Sequence, residues 1–143
     1  MSTDRAAPGD IFTALFAAHQ IGDYWCQTAR QAETKGLPGW RGRRACAAHV
    51  ASMTACKALA LGTLHVSGRR ISPRRAAVAL AADAASHYWA DRRTTLEGLA
   101  KLADRVSPGK HGYYKAGGAP LLDQAFHIGF LWASSVIAAG QGR

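Results

Sequence analysis

Residues 11–27 read IFTALFAAHQIGDYWCQ, and this stretch decides how the rest of the chain is interpreted. Eight largely apolar residues lead into His19, Asp23 and Gln27, which follow one another at intervals of four. Residues four apart share one face of an α-helix. Burying such polar groups costs several kcal/mol unless they are paired or bind a metal. The stretch therefore predicts a helix that carries polar side chains toward other helices.

The composition of the whole chain favours a single helical domain. The 143 residues are 48 % hydrophobic and 19 % charged, which is typical of a globular protein. Alanine is abundant and no long segment alternates with period two, so helices are predicted and a sheet is not. We predict an all-α, four-helix bundle-like domain over residues 10–140, with one additional short helix and a flexible N-terminal tail over residues 1–9.

Capping residues and breaks in the pattern place the predicted helices along the chain. The first helix is expected to begin at Asp10, and the third follows Ser72 as its N-cap. The intervening segments are rich in Gly and Pro, above all residues 107–120, SPGKHGYYKAGGAP. The predicted principal helices are 10–34, 44–66, 73–91 and 120–139, and the short one is 96–106.

Charge and cysteine content limit the class of partner and compartment. The formal net charge of +9 favours acidic partners such as phosphate, nucleic acid or an anionic membrane surface, or else a solvated arginine-rich surface. Three cysteines without a C-x-x-C motif indicate a reduced, cytoplasmic protein. The two most apolar stretches, residues 45–64 and 121–139, are interrupted by His, Lys or Asp. Membrane insertion is therefore not favoured, and peripheral membrane association remains an alternative.

Each of the four predicted principal helices contributes a histidine, and three of them add an aspartate one turn away. A single buried histidine is usually a hydrogen-bonded core residue, and a His–Asp pair can simply orient an imidazole. Four such positions on four helices favour a His/Asp site for one or two divalent ions, because bundles build metal sites from inward side chains. Imidazole and carboxylate ligands suit zinc first, with manganese or iron as alternatives. The positions are His19 and Asp23, His49, His87 and Asp91, and Asp123 and His127.

The same positions carry a resemblance to a known family. His19-x3-Asp23-x3-Gln27, Lys35, His49, His87-x3-Asp91 and Asp123-Gln124-x2-His127 resemble the bacterial and phage family called domain of unknown function 3307, over roughly residues 11–135. The resemblance implies a small helical membrane protein. It also implies a distant similarity to membrane-associated proteins regarded as metal-dependent hydrolases with H-x3-D motifs. By that similarity, the metal ligands would be His19, Asp23, His49, His87, Asp91, Asp123 and His127.

The function expected from these patterns is hydrolysis of a phosphoester or another small anionic substrate. Asp23 or Asp91 would act as the general base. The loop before the last helix offers cations for the substrate, and Gln27 and Gln124 contact either the substrate or the metal ligands. The predicted substrate-binding residues are Lys35, Lys110, Lys115, Gln27 and Gln124. The alternatives are a non-catalytic, metal-stabilised protein that docks on a membrane or partner, a basic nucleic-acid-binding protein, and a metal-free network of buried hydrogen bonds.

Overall fold

The computed structural model describes residues 4–140, and this part of the chain is all-α without a strand. The third predicted helix is confirmed at its predicted bounds, and the other helices differ at one or both ends. The helices are α1 Pro8–Ile21, α2 Ala29–Thr34, α3 Gly39–Val66, α4 Pro73–Asp91, α5 Thr94–Ala103, α6 Lys110–Tyr113 and α7 Ala119–Ala139. Two π-helical segments, Gly22–Cys26 and Tyr114–Gly118, follow α1 and α6.

Four long helices form the predicted bundle. Helix α1 packs against α3 and α7, and α4 packs against the same two helices, which closes a ring of α1, α3, α4 and α7. The carboxyl ends of α1 and α4 meet the amino-terminal halves of α3 and α7. Neighbouring helices around the ring therefore run in opposite directions. One end of the bundle has an apolar core that includes Ile11, Leu15, Leu61 and Leu131.

The first predicted helix, 10–34, was wrong as a single element. Gln27 is extended (φ −70°, ψ 125°), so the chain leaves the helix after Gly22–Cys26 and starts again at Ala29. Thr28 accepts a hydrogen bond from the Gln31 backbone N–H, and Gln31 Oε1 accepts one from the Thr28 N–H. This T-x-x-Q capping box supplies partners for backbone N–H groups that begin α2. It was visible in the sequence and was overlooked.

Three further boundaries differ from the prediction. Helix α1 begins at Pro8 rather than Asp10, and the preceding Ala6 is buried and donates its N–H to the Arg70 carbonyl at 3.0 Å. Residues 4–7 of the expected tail are thus held against residue 70, whereas residues 1–3 lie outside the described part. Helix α3 begins five residues before the predicted start at 44. Part of the expected loop 107–120 is helical.

Two segments are long and apolar enough to cross a membrane, namely Gly39–Val66 and Lys110–Ala139. The most apolar windows within them are only 33 % and 28 % buried inside the protein. The sequence-based prediction against insertion rests on the charged residues that interrupt both segments. Compatibility with a membrane therefore depends on whether those side chains point into the bundle or away from it.

Gly42 allows the loop after α2 to approach α3. A Cβ atom at this position would overlap the carbonyl oxygen of Leu37, which belongs to the backbone and cannot rotate away. We expect Gly42→Ala to lower the free energy of unfolding by about 1–3 kcal/mol, the usual cost of overpacking. Gly62→Ala is the control, because a Cβ there meets nothing within 4 Å and alanine favours a helix. Denaturation followed by circular dichroism measures both, and equal stability of the two variants would contradict the prediction.

Candidate metal centre

Four histidines, one from each helix of the ring, meet inside the bundle. His19, His49, His87 and His127 are all at most 3 % exposed. The ring of His87 lies centrally, with its centroid 5.4 Å from His19, 5.1 Å from His49 and 4.0 Å from His127. The Nε2 atoms of His49 and His87 are 3.1 Å apart. The helical spacing that predicted this meeting is therefore confirmed for all four histidines.

Asp23 joins this group from the π-helical segment Gly22–Cys26. Its Oδ2 lies 3.3 Å from His19 Nε2, and its Oδ1 lies 3.2 Å from His49 Nε2. Gln124 of α7 donates its side-chain N–H to Asp23 Oδ2 at 3.3 Å. Because π-helical turns often occur at functional sites, the local widening of the helix at Asp23 marks this position. The carboxylate thus connects helices α1, α3 and α7.

Asp91, the last residue of α4, lies beside three of the four histidines. Its Oδ2 is 3.4 Å from Nε2 of both His49 and His87, and its Oδ1 is 4.0 Å from His127 Nε2. The ammonium group of Lys35 lies 2.8 Å from Asp91 Oδ1. Lys35 is therefore part of the centre, although it follows α2 in the chain.

Two sets of side chains are close enough to hold a metal ion. Asp23, His49 and His87 form one set, and His87, Asp91 and His127 form the other. Within each set, one ligand atom per residue lies within 4.8 Å of the others. His87 belongs to both sets. Five of the seven predicted ligands are thus brought together, while His19 contacts Asp23 and Asp123 contacts His127 at 3.5 Å.

The hydrogen bonding of these side chains tests whether they fit a metal ion. Buried polar atoms in proteins almost always have a partner. Among the residues that the structure describes, several atoms of this centre are buried without a well-aligned hydrogen bond, although three of them lie 3.2–3.4 Å from another side chain of the cluster. The atoms include both ring nitrogens of His19, Asp23 Oδ1, Asp91 Oδ2, and Nδ1 of His49 and His87. A divalent cation would give the converging carboxylate oxygens a partner, so the donor set fits a metal.

A cleft of about 390 Å³ leads from the solvent to this centre. Asp91 lies at its inner end, and Asp123, whose side chain is 26 % exposed, lies along its wall. Lys35, Arg93 and Tyr114 supply the other polar groups of the wall. Burial raises the pKa of Tyr114, so its hydroxyl stays protonated, and it donates a hydrogen bond to the Arg93 carbonyl at 3.3 Å. The cleft thus places two cations beside the His/Asp cluster.

Arg92 holds the loop that carries Lys35. Its guanidinium donates to the carbonyl of Lys35 at 2.5 Å and to that of Leu37 at 2.6 Å. Arg93 donates to the Ala32 carbonyl at 3.1 Å and has a positive φ of 58°, a conformation uncommon for residues other than glycine. The pair Arg92–Arg93 therefore fixes the α2 region against the end of α4. Sequence reasoning assigned no such role to the pair.

Two predicted substrate-binding lysines lie away from the cleft. The ammonium group of Lys110 lies 5.6 Å from the centroid of the Tyr113 ring, and that of Lys115 lies 3.0 Å from Glu97 Oε1. Hydrogen bonds from Lys115, His111 and Lys101 lower the pKa of Glu97 to about 2. Lys115 is thus engaged by a carboxylate on α5. Gln27 is partly buried, and its side-chain nitrogen has no partner among the described residues.

A second buried ionic group was missed in the sequence. Lys57 of α3 is fully buried and its ammonium group lies 2.5 Å from Asp83 Oδ2 on α4, which is 3 % exposed. Lys57 lies two turns from His49, and Asp83 lies one turn from His87. The same interval of four that revealed the histidines leads from His49 through Met53 to Lys57. The spacing places Lys57 on the same helix face as His49, so it predicts that Lys57 is buried and needs an acidic partner.

No protein-family model matches this chain, and neither a curated protein nor a solved structure was found to be similar to it. The resemblance to domain of unknown function 3307 therefore stays a prediction from the motifs.

Proposed function

We propose that this protein is a metal-dependent hydrolase that acts on a phosphoester or a similar anionic substrate. The observation that carries the proposal is the cleft, which places Lys35 and Arg93 beside two buried His/Asp sets that share His87. Sites that hold a metal for structure alone are usually closed, whereas catalytic sites remain accessible. Zinc is our first choice of metal, since imidazole and carboxylate ligands suit it.

A divalent ion bound here would polarise the phosphoryl group and lower the pKa of a water molecule. The ion would be held by Asp23, His49 and His87, or by His87, Asp91 and His127. Within the cleft, the Lys35 ammonium and Arg93 guanidinium would bind the non-bridging oxygens. These groups orient the phosphorus toward the buried carboxylates.

The geometry favours Asp123 as the general base over Asp23 and Asp91, the two candidates from the sequence. Asp23 and Asp91 belong to the metal-holding sets, whereas Asp123 belongs to neither and lies on the cleft wall. In the proposed step, water loses a proton to the Asp123 carboxylate while its oxygen bonds to phosphorus. The ester P–O bond breaks, and the leaving oxygen takes a proton from solvent. His127, 3.5 Å from Asp123, would position the carboxylate.

The test combines elemental analysis with assays on p-nitrophenyl phosphate and bis(p-nitrophenyl) phosphate in the presence of zinc or manganese. We expect one or two ions per chain, and hydrolysis that Asp123→Asn lowers at least a hundredfold with its metal content unchanged. Glu33→Gln, which removes an exposed carboxylate of α2, is the control and should keep full activity. Metal binding without hydrolysis of any anionic ester would instead support the non-catalytic, metal-stabilised alternative.

Lys35 offers a separate prediction on substrate binding. Lys35→Gln removes the positive charge that lies 2.8 Å from Asp91 and lines the cleft. We expect KM for an anionic ester to rise about tenfold, which corresponds to about 1.4 kcal/mol, with the metal content unchanged. Lys101→Gln, whose side chain is 59 % exposed, is the matched control. An unchanged KM would show that Lys35 pairs with Asp91 and does not bind the substrate.

A further inference from the structure

The interior of this bundle combines the apolar core with a large group of buried ionisable residues, which is unusual in a water-soluble helical protein. Its interior holds His19, His49, Lys57, Asp83 and His87, all at most 3 % exposed. Its outer surface carries large apolar side chains on every helix of the ring: Ile21 is 52 % exposed, Leu59 71 %, Val78 53 % and Trp132 54 %. Exposed apolar surface of this extent marks an interaction with a partner or a membrane.

This outer surface forms a continuous apolar belt, which we define as the exposed residues within 11–22, 45–64, 76–90 and 124–139. In these four described stretches every exposed residue is uncharged. Thr13 and Thr63 are the two with polar side chains, and their hydroxyls donate to the Gly9 and Ala60 carbonyls of their own helices. Hydroxyl groups satisfied in this way are compatible with lipid, where no water can replace a missing partner.

Most of the ionisable residues that interrupt the two apolar stretches point inward, and Asp123 lies on the wall of the cleft at the end of the bundle that carries the metal centre. Lys57 interrupts the stretch 45–64 and is paired with Asp83, and His127 interrupts the stretch 121–139 and belongs to the metal centre. Ionisable residues within membrane-spanning helices commonly face the bundle interior and pair with one another. Once their side chains are placed, these residues are therefore compatible with insertion.

We infer that the bundle is embedded in a lipid bilayer, with α1, α3, α4 and α7 crossing it and the metal centre near one surface. Helices α3, α4 and α7 contain 28, 19 and 21 residues, and α1 with its π-helical segment runs from Pro8 to Cys26. At 1.5 Å per residue these elements are about 28 Å or longer, and their belt stretches of 12 to 20 residues cover about 18–30 Å of a hydrocarbon core of about 30 Å. The inference goes beyond the proposed function and does not depend on metal binding.

A bilayer fits this surface better than a second copy of the chain. The belt includes exposed apolar residues on all four sides of the ring, whereas a partner protein would cover one side. Aromatic residues typical of a membrane interface lie near the metal centre: Tyr24 is 68 % exposed, Trp25 86 % and Trp40 72 %. Arginines flank the belt at both ends, as Arg44 and Arg69 do for α3.

The charges of the connecting segments indicate an orientation. Segments 27–44 and 92–118 lie at the end of the bundle that carries the metal centre, and they contain eleven Lys and Arg residues. At the other end, segment 67–75 and described residues 4–7 contain five. Segments richer in Lys and Arg remain on the cytoplasmic side. The metal centre and its cleft are therefore assigned to the cytoplasmic surface of the membrane.

Fractionation of bacterial cells that express the full chain tests the insertion. We expect the protein in the membrane fraction after an alkaline carbonate wash, and in mild detergent as a helical, monodisperse species. Release by carbonate, recovery as a soluble protein without detergent, or a pellet that mild detergent does not dissolve would each overturn the inference. His87→Ala should fractionate like the wild type, so failure of the metal proposal is recognised separately.

A pair of arginine substitutions tests the belt itself. Ala133 is exposed on α7 within the belt, and Ala29 is exposed on α2 outside it. We expect Ala133→Arg to reduce the detergent-extractable protein in membranes at least fivefold, because a charge in the hydrocarbon core is costly. Ala29→Arg should leave the amount unchanged. If the belt faced water, both variants would behave like the wild type, and the inference would fail.

Labelling with a membrane-impermeant maleimide tests the orientation, in a chain with Cys26→Ser, Cys46→Ala and Cys56→Ser. Ser107→Cys lies at the metal-centre end and Ser67→Cys at the opposite end, and both positions are exposed. In spheroplasts we expect labelling of Ser67→Cys alone, with Ser107→Cys reacting only after lysis. The reverse pattern would overturn the orientation, and equal labelling of both before lysis would overturn the insertion.

Discussion

His87→Ala is expected to reduce the metal content of the purified protein from one or two ions per chain to background. His87 contributes to both sets of side chains that can hold an ion, so its loss leaves each set with two members. Its ring also lies 4.0–5.4 Å from the other three histidines, at the centre of the cluster. Elemental analysis after dialysis measures the effect, and hydrolysis should be lost with the metal.

The control for this variant is His111→Ala. His111 contacts Glu97 rather than the metal centre, with His111 Nε2 3.2 Å from Glu97 Oε1. We expect it to retain the wild-type metal content. Wild-type protein that stays metal-free after zinc, manganese and iron are added would refute the metal centre. The histidines and aspartates would then form a buried polar core without an ion.

Lys57→Met is expected to be the most destabilising single substitution in the chain. It removes the ammonium partner of Asp83 and leaves a carboxylate buried without a counter-charge. Breaking a buried ion pair in this way costs about 3–5 kcal/mol of the free energy of unfolding. Chemical denaturation followed by circular dichroism, in detergent if the protein requires it, measures the loss.

The double variant Lys57→Met, Asp83→Leu shows whether the effect comes from the unpaired charge. Replacing both partners of a buried ion pair by apolar residues is often neutral or stabilising. We therefore expect the double variant to recover most of the stability lost in Lys57→Met. Lys101→Met, at an exposed ion pair with Glu97, should change the stability by less than about 1 kcal/mol. A double variant as unstable as Lys57→Met would refute the explanation.

The bundle was predictable because spacing in a sequence determines which side chains share a helix face. His19 and Asp23, or His87 and Asp91, lie one turn apart whatever the tertiary structure, and their burial follows from the apolar residues around them. The break after Gly22–Cys26 was less predictable, since no Gly or Pro marks it. It depends on the capping box at Thr28, a short local signal inside an otherwise helical pattern.

The cleft could not be predicted to the same degree. Lys35 reaches Asp91 only because Arg92 holds residues 35–37 against the end of α4, a contact between positions more than fifty residues apart. Lys110 and Lys115 lie near Asp123 in the sequence, yet Tyr113 and Glu97 engage them elsewhere. Proximity along the chain favoured two lysines that do not line the cleft, since loop geometry rather than helical spacing determines its walls.

Hydropathy averaged over a stretch of sequence does not show the direction of each charged side chain. Lys57 read as an interruption of an apolar helix, which argued against a membrane. In the bundle it is fully buried beside Asp83, and the outer face of the same helix from Ala45 to Leu64 carries no charge. Hydropathy averaged along a helix counts inward and outward residues alike. The mean hydropathy of a helix with inward ionisable residues is therefore lower than the hydropathy of its outer face.

The π-helical segment Gly22–Cys26 makes the centre sensitive to insertions and deletions as well as to the replacement of Asp23. The Gln27 N–H donates to the Gly22 carbonyl five residues earlier, so the turn contains one residue more than an α-helical turn. Tyr24 and Trp25 point outward, and related chains could exchange them freely for other large residues. Losing either one would restore an α-helical turn and rotate the downstream residues by about 100°. In related chains, we therefore expect the length of this segment to be constant and the residues at positions 24 and 25 to vary.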